Sequence, residues 1–255
     1  MVRSEPRAWW SPKLPQAEWQ KSEAVYEHES KGKWQFRKAL PEALDFKVRD
    51  LTIKLKFPAT SKHIGIFPEQ VSQWDWIAEK VQNAGQKVKV LNLFGYTGIS
   101  SLVAVQAGAE VTHVDGSRAI MGWARENQEA SGLSDKPIRW ILDDAVDFVK
   151  REVKRGNKYD AVIMDPPSFG RGPKGQVWKV EEDLVPFLHE IRKILVDKPL
   201  FVILNMYSTE LSALTLKNLL EDILPEGGEV TTGELAIAEE GSLRLLPLSI
   251  FANWG

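Results

Sequence analysis

From about residue 86 onward, short runs of aliphatic and β-branched residues alternate with longer stretches in which apolar positions recur every three or four residues. These are the periods of buried strand and amphipathic helix. The runs predict strands over residues 88–94, 110–115, 138–142, 159–164 and 200–205, and the periodic stretches predict helices over 98–107, 117–131, 144–155, 180–196 and 209–224. Strands that alternate with helices imply a parallel sheet covered on both faces. Two β-rich stretches at the end, 228–238 and 244–254, are joined by only a few residues around Gly241. So short a connection excludes a parallel crossover, so these two must pair antiparallel.

The first 84 residues follow another pattern. Residues 7–19 are rich in Pro and Trp and predict an irregular arm, while 34–37, 45–49 and 52–57 predict short strands of one small sheet. A helix is expected over 69–83; Trp74 and Trp76 point to different faces of it, so at most one is fully core. The arm's Trp9, Trp10 and Trp19 could pack over the sheet, meet a neighbouring subunit or stack on bases, and packing within the chain is favoured. The division is therefore an arm and small β-rich extension over 1–60, followed by an α/β domain over 61–255.

Composition narrows the chemistry. A length of 255 residues allows one large domain or one domain with an extension, and the absence of cysteine removes disulfides, thiolate metal sites and any thiol nucleophile. The four histidines, His28, His63, His113 and His189, show no ligand spacing, so no metal is expected. Net charge is −2, with +3 over residues 1–84 and −5 over the rest, so bulk charge does not argue for nucleic acid. No apolar run is long enough for a membrane span, and a soluble cytoplasmic protein is expected.

Candidate chemistry gathers where the strands end. Asn92-Leu93-Phe94-Gly95-Tyr96-Thr97-Gly98 runs from a buried strand through a glycine turn into a helix. Glycine there lets backbone approach a ligand at the carboxyl edge where open α/β sheets bind. Lacking the third glycine of the dinucleotide fingerprint, the turn favours a ligand without pyrophosphate; a plain turn is the alternative. Asp115 ends the second strand 20 residues after Gly95, where a carboxylate can accept from both hydroxyls of a ribose. Its other possible role is a helix cap, with Gly116 and Ser117 as rivals. Asp143-Asp144-Ala145 adds carboxylates at the same edge, either for an adenine amino group with backbone contact at Ala145, or for capping, the role favoured for Asp143.

Asp165-Pro166-Pro167-Ser168-Phe169 follows the fourth strand. Two prolines fix φ and remove two N–H groups, so this loop offers carbonyls without competing donors. Asp165 and the Pro166 carbonyl can grip an N–H-bearing planar group while Phe169 stacks on its face. The lone pair of an aromatic amine is delocalised, and two acceptors pulling on its hydrogens favour the pyramidal nitrogen of a transition state.

These motifs, in this order, resemble the class I S-adenosylmethionine-dependent methyltransferases, and more narrowly the bacterial 23S ribosomal RNA methyltransferase family that includes C5-cytosine and N7-guanine enzymes. The resemblance covers about residues 60–255 and implies a Rossmann-like methyltransferase sheet: five parallel strands plus a C-terminal antiparallel hairpin. It implies S-adenosyl-L-methionine as cofactor and S-adenosyl-L-homocysteine as product. Candidate contacts are Asn92, Phe94, Gly95, Tyr96, Thr97, Gly98, Asp115, Gly116, Ser117, Asp144, Ala145 and Asp165. The segment His63-Ile64-Gly65-Ile66-Phe67-Pro68-Glu69-Gln70 resembles the family's entry into the domain, which puts Phe67 and Gln70 near the cofactor. Asp165, Pro166 and Phe169 would face the methyl-accepting base.

Two departures limit the target. C5-cytosine methylation in that family depends on a cysteine that attacks C6, and the stretch that would hold it reads Leu204-Asn205-Met206-Tyr207-Ser208; neither a phenol nor a hydroxyl replaces it without an activating base. Residues 1–60 are also unlike the PUA RNA-binding module of those enzymes. In the loop 170–179, Arg171, Lys174 and Lys179 could meet phosphates while Trp178 stacks on a base; the alternative is a solvated loop with Trp178 in the core. Residues 221–240 hold seven acids and no base and should face away from RNA. The expected function is methylation of a nucleobase nitrogen, in RNA and ribosomal RNA above all, by in-line transfer without a covalent intermediate. A small planar metabolite, a protein amide or a non-catalytic RNA-binding relative remain the alternatives.

Overall fold

The computed structural model describes residues 1–27, 32–59, 61–207 and 210–255; His28, Ser208 and the expected helix start at Thr209 lie outside them. At the N-terminus β1 (Val2–Arg3) runs parallel to β2 (Ala24–Glu27), which pairs antiparallel with β3 (Lys33–Phe36), and α1 (Gln16–Gln20) lies in the arm between. β4 (Ala43–Val48) and β5 (Leu51–Lys56) form a separate hairpin. The single small sheet expected here is thus two. β2 has no counterpart among the expected strands.

A turn of 3-10 helix at Pro68–Gln70 leads into α2 (Val71–Gln82), whose buried Trp74, Ile77 and Val81 recur at helical spacing. Trp74 is 1% exposed, whereas Trp76 is only partly buried and packs edge-on to Phe201. Then come β6 (Lys89–Leu93), α3 (Ile99–Gln106), β7 (Glu110–Asp115), α4 (Arg118–Ala130), β8 (Ile138–Leu142), α5 (Ala145–Arg155) and β9 (Ala161–Met164). The expected Gly- and Pro-rich loop is instead a hairpin of β10 (Phe169–Arg171) and β11 (Val177–Lys179). α6 (Val180–Ile194), β12 (Phe201–Met206), α7 (Ala213–Ile223), β13 (Val230–Ala238) and β14 (Leu245–Trp254) complete the chain.

The main sheet has seven strands in the order β13-β14-β12-β9-β6-β7-β8, parallel from β12 to β8, with β14 antiparallel to both of its neighbours. The terminal hairpin is present as expected, but β14 inserts between β12 and β13, so the last strand is internal. Side chains from alternate strand positions feed two cores. Val90, Val111, Ile163 and Ile203 pack with α2, α3 and the extension's Leu51, Ile53 and Trp34, while Leu91, Met164, Val202 and Leu204 pack with α5, α6 and α7. Burial on both faces explains why these strands read as continuous apolar runs. No helix among the described residues is long and apolar enough to cross a membrane.

Strand order reverses between β6 and β9. The carboxyl ends of these two strands therefore open the crevice where a ligand fits such a sheet, and the glycine turn and the Asp-Pro-Pro loop stand on its two sides.

Candidate active site

The turn after β6 is backbone-strained. Phe94 and Tyr96 have φ values of 56° and 50°, and Gly98 has 85°. Left-handed backbone at a side-chain-bearing residue costs about 1–2 kcal/mol, and here bonds from all sides hold it. Gly95 N–H donates to the Val114 carbonyl at 3.1 Å, Gly98 N–H to the Gly95 carbonyl at 3.0 Å, and Tyr96 N–H to Asp115 Oδ2 at 3.0 Å. The Thr97 hydroxyl donates to the Gly65 carbonyl at 2.7 Å, and buried Asn92 donates to Ser101 Oγ at 2.9 Å. Gly95 also answers a packing demand that ligand approach alone did not suggest: a Cβ there would lie 2.4 Å from His113 Cε1. His113 is fully buried with Nδ1 3.0 Å from Ser101 Oγ, and burial pushes its pKa down to about 3, so the ring is neutral.

Asp115 accepts from two backbone N–H groups, Tyr96 on Oδ2 and Ser117 on Oδ1 at 2.8 Å, and its burial pushes its carboxyl above the ordinary range. It does not cap α4: Ser117 does, its Oγ accepting from Ile120 N–H at 3.4 Å. Asp144 is the cap of α5, accepting from Asp147 N–H at 3.0 Å, and Asp143 pairs with Arg151. Ala145 is buried beside Phe148. Neither Asp144 nor Ala145 lines the cavity described below. The tip of the β10–β11 hairpin stands before them, so that a Cβ on Gly172 would lie 2.7 Å from Asp144 Oδ2 and one on Gly116 3.4 Å from Pro173 Cδ.

On the opposite side, Gln70 Nε2 donates to Asp165 Oδ2 at 2.8 Å and to Tyr207 Oη at 3.1 Å. One turn further along, Gln73 exchanges hydrogen bonds of 2.7 Å with Asn205 and donates to Asn253 at 3.2 Å, which fixes α2 to β12 and β14 and so sets where Gln70 reaches. Phe67 packs against His63, Tyr96 and Tyr207. Burial, with the neighbouring charge of Glu69, pushes Asp165 up to about 7 against the opposing hydrogen bond from Gln70. Glu69 is 4% exposed and raised by burial, while burial and the two carboxylates push the Tyr207 phenol far above its ordinary value. Tyr207 stays protonated and is no nucleophile. Sequence reasoning missed Glu69 and Tyr207 as members of this cluster, because only the fold brings the start of α2, the end of β9 and the end of β12 together.

In the loop after Asp165 the structure takes the core reading of Trp178 and leaves Phe169, Lys174 and Lys179 outside the cavity lining. Trp178 does not stack outward: it is 5% exposed, packs against Phe94 and Phe187, and donates from Nε1 to the Pro167 carbonyl at 2.6 Å. It holds the Asp-Pro-Pro loop from beneath. Phe169 is 56% exposed and outside the cavity lining, since it begins the hairpin strand and is carried away from the cleft. Lys179 pairs with Glu182 and Lys174 stands at the exposed hairpin tip, which leaves Arg171 as the cation of this segment at the cavity. Trp178→Ala is expected to lower stability by about 3–5 kcal/mol in denaturant titration, with Trp178→Phe recovering most of it; two wild-type-like midpoints would contradict this anchoring.

The cavity between these walls measures about 560 Å³ and takes in Phe67, Phe94, Tyr96, Asp115, Gly116, Ser117, the Asp165–Ser168 loop and Tyr207. A narrow chamber of about 30 Å³ beneath it is bounded by Gln70, Asn92, Gly95, Thr97, Gly98 and Asp165. Arg3, Glu5, Arg7 and Lys62 from the N-terminal segment line the mouth. Another cleft of about 480 Å³, at the opposite end of the sheet around Lys89, Glu110 and Tyr159, carries none of the motif residues. Among the described residues no group of three or more His, Asp or Glu is placed to hold a metal. The donor set suits S-adenosylmethionine: raised carboxylates at Asp115, Asp165 and Glu69 are stabilised by a ligand carrying sulfonium and ammonium charges, and the glycine turn and Asp115 stand where a ribose can be gripped.

Comparison with known proteins shows the family and the fold. A family model described as S-adenosylmethionine-dependent methyltransferase matches residues 15–211. A crystal structure of an S-adenosylmethionine-dependent methyltransferase from Agrobacterium tumefaciens is 42% identical, covers 99% of this chain and 83% of its own, and superposes with a TM-score of 0.94. A protein from Streptococcus mutans described as an S-adenosylmethionine-dependent methyltransferase superposes at 0.73 with 19% identity, over 94% of this chain and 63% of its own, a likeness of fold alone. Ribosomal RNA large subunit methyltransferase K/L of Alteromonas mediterranea is 32% identical over 158 residues, 58% of this chain and 22% of that protein. The chain thus spans about a fifth of the length of the curated relatives it matches.

Proposed function

The chain belongs to the S-adenosylmethionine-dependent methyltransferases, and from that premise we propose that it methylates a nitrogen of a nucleobase in RNA, by direct in-line transfer with no covalent link to the enzyme. S-adenosylmethionine supplies the methyl group, on a sulfonium that the acceptor nitrogen's lone pair displaces. The Gly95–Gly98 turn and Asp115 hold the nucleoside portion of the cofactor, and Phe67 and Gln70 flank the transfer site. Asp165 and the Pro166 carbonyl accept the hydrogens of the acceptor nitrogen, orient its lone pair and stabilise the charge it develops as the N–C bond forms and the S–C bond breaks. The surplus proton leaves through the cavity mouth to water.

The observation that carries this reading is Asp165, fixed by Gln70 on the wall of a cavity that also holds the glycine turn. Two facts disfavour carbon methylation: the chain has no cysteine, and burial keeps Tyr207 protonated. The curated relatives named as ribosomal RNA methyltransferases support RNA as the acceptor. Tritiated methyl transfer to total RNA followed by nucleoside analysis is expected to yield a nitrogen-methylated nucleoside and no 5-methylcytidine. Formation of 5-methylcytidine would overturn the nitrogen assignment. Cofactor binding without labelling of any RNA would move the acceptor to a small planar amine or a protein amide.

A further inference from the structure

In the N-terminal arm Trp10 packs within the chain as expected, under the Arg244 guanidinium, whereas Trp9 and Trp19 stay open to solvent. Trp9 is 93% exposed and Trp19 is 42% exposed, its indole N–H donating to the Leu14 carbonyl at 3.0 Å. A single exposed apolar side chain is ordinary by itself; Trp9 differs in that its backbone is tethered on both sides. Before it, β1 pairs with β2 and Arg3 donates to the Lys62 carbonyl at 3.2 Å. After it, the Arg244 guanidinium lies over Trp10 at 5.9 Å and donates to the Ser11 carbonyl at 3.3 Å, while Lys13 donates to the Gly241 carbonyl at 3.4 Å.

The same arm borders the acceptor cavity. Arg3, Arg7 and Lys62 line its mouth, and Arg171 reaches it from the β10–β11 hairpin. Glu5 is shared between two of them, 3.4 Å from Arg7 and 3.5 Å from Lys62, and Glu69, Asp115 and Asp165 line the same cavity. Among the described residues, Arg3 and Arg171 have no carboxylate within ion-pair distance. Arg3 and Arg171, without an ion-pair partner among the described residues at the rim of the cavity, and the held-out Trp9 further along the same arm match an anionic chain that carries aromatic rings.

We propose that residues 3–13 form the docking track for the nucleotides flanking the acceptor base in single-stranded RNA, with Trp9 stacking on a neighbouring base and Arg3, Arg7 and Arg171 holding the phosphates between. The inference rests on the RNA reading above. Single strands are the form that fits, because an acceptor base must leave any stack to reach Asp165 at the cavity wall, and its neighbours are then free to be held by stacking and charge. The acidic tract over residues 221–240 ends beside this arm, where Glu239 pairs with Arg244 and lies 3.8 Å from Lys13, so the cations left for phosphates are those at the other end of the track, toward Arg3.

Fluorescence anisotropy with a labelled single-stranded RNA 12-mer across a salt series tests the track, alongside tritiated methyl transfer to total RNA and cofactor calorimetry. Trp9→Ala is expected to weaken RNA binding about 5- to 150-fold, Trp9→Phe to remain near wild type, and both to bind S-adenosylmethionine as the wild type does. The Arg3→Gln/Arg7→Gln double variant is expected to flatten the plot of log affinity against log salt by about 1.4, two contacts at about 0.7 each. Wild-type RNA binding and labelling by both the Trp9→Ala and double-arginine variants, with the wild type labelling RNA, would overturn the track and leave the proposed function standing. Equal losses in Trp9→Phe and Trp9→Ala would also overturn stacking. Polyglutamate displacing the 12-mer as well as polyuridine does would replace RNA with an acidic protein. If the wild type binds cofactor but neither binds nor labels RNA, the RNA reading falls and the track with it.

Discussion

Asp165→Ala is expected to lower methyl transfer by about 10²- to 10³-fold, the range seen when one preorganised polar contact to a developing charge is removed, with a much smaller loss of cofactor affinity by calorimetry, since the carboxylate also faces the cofactor's positive charge. Among the described residues the carboxylate has one hydrogen-bond partner, Gln70 Nε2 at 2.8 Å, which leaves acceptor positions on it for the acceptor nitrogen. Equal loss of transfer and cofactor affinity would mean that the residue is a cofactor ligand. pH gives an independent signature. Burial raises Asp165 to about 7, with Glu69 adding repulsion and Gln70 and Tyr207 the polar groups facing it, so the accepting carboxylate forms as pH rises through that value. Wild-type kcat/KM for the acceptor should rise with pH over this range, beginning lower when the cationic cofactor is bound, and Asp165→Ala should lack that limb. The stability sign is opposite. A carboxyl whose folded pKa lies above the unfolded value of about 3.9 binds its proton more tightly when folded. Its contribution is present below pH 4 and is lost as pH rises to about 7. Asp165→Ala should therefore gain stability relative to wild type at pH 8 compared with pH 5, and denaturant titrations at the two pH values measure the difference.

Asp115→Ala is expected to weaken S-adenosylmethionine binding by about 10- to 100-fold or more, because charge-assisted hydrogen bonds are worth about 1.5–3 kcal/mol each. Its two oxygens already receive Tyr96 N–H at 3.0 Å and Ser117 N–H at 2.8 Å. The residue therefore shapes both the glycine turn and the approach to α4 before any ribose arrives. For that reason Asp115→Asn should not behave conservatively: an amide must aim its NH₂ at one of those backbone donors. Losses of similar size for Ala and Asn are expected, with calorimetry as the readout. Wild-type affinity in Asp115→Asn would show that the turn keeps its shape without the second acceptor, and the assignment of Asp115 to the ribose would then need another basis.

Much of the cleft was legible one strand at a time. The strand–turn–helix signal around Gly95 and the Asp-Pro-Pro-Ser-Phe loop after β9 are local, encoded in periodicity, glycine and proline within a few neighbours, and the structure brings them to adjacent strand ends. Asp144 was harder, because an acidic residue at a strand end serves equally as a cap and as a ligand, and here it caps α5. Trp178 was ambiguous for a similar reason. A tryptophan among glycines and lysines reads as exposed until Phe94 and Phe187 are known to lie beside it.

The alternation of strands and helices after residue 86 outside the β10–β11 hairpin, the antiparallel end, the absence of any thiol and the chemistry offered at each strand end follow from residues close in the chain, and so were legible in the sequence alone. In the packed molecule alone does β14 lie inside the sheet and does Gln70 bridge Asp165 to Tyr207 beside Glu69. Only there does Trp178 support the acceptor loop from below, and only there does the arm that starts at Arg3 return to the cavity mouth. The reason is one of distance along the chain: no local period encodes a hydrogen bond such as Gln70 to Tyr207, and it forms only once the packing of two cores against one twisted sheet has brought its ends together.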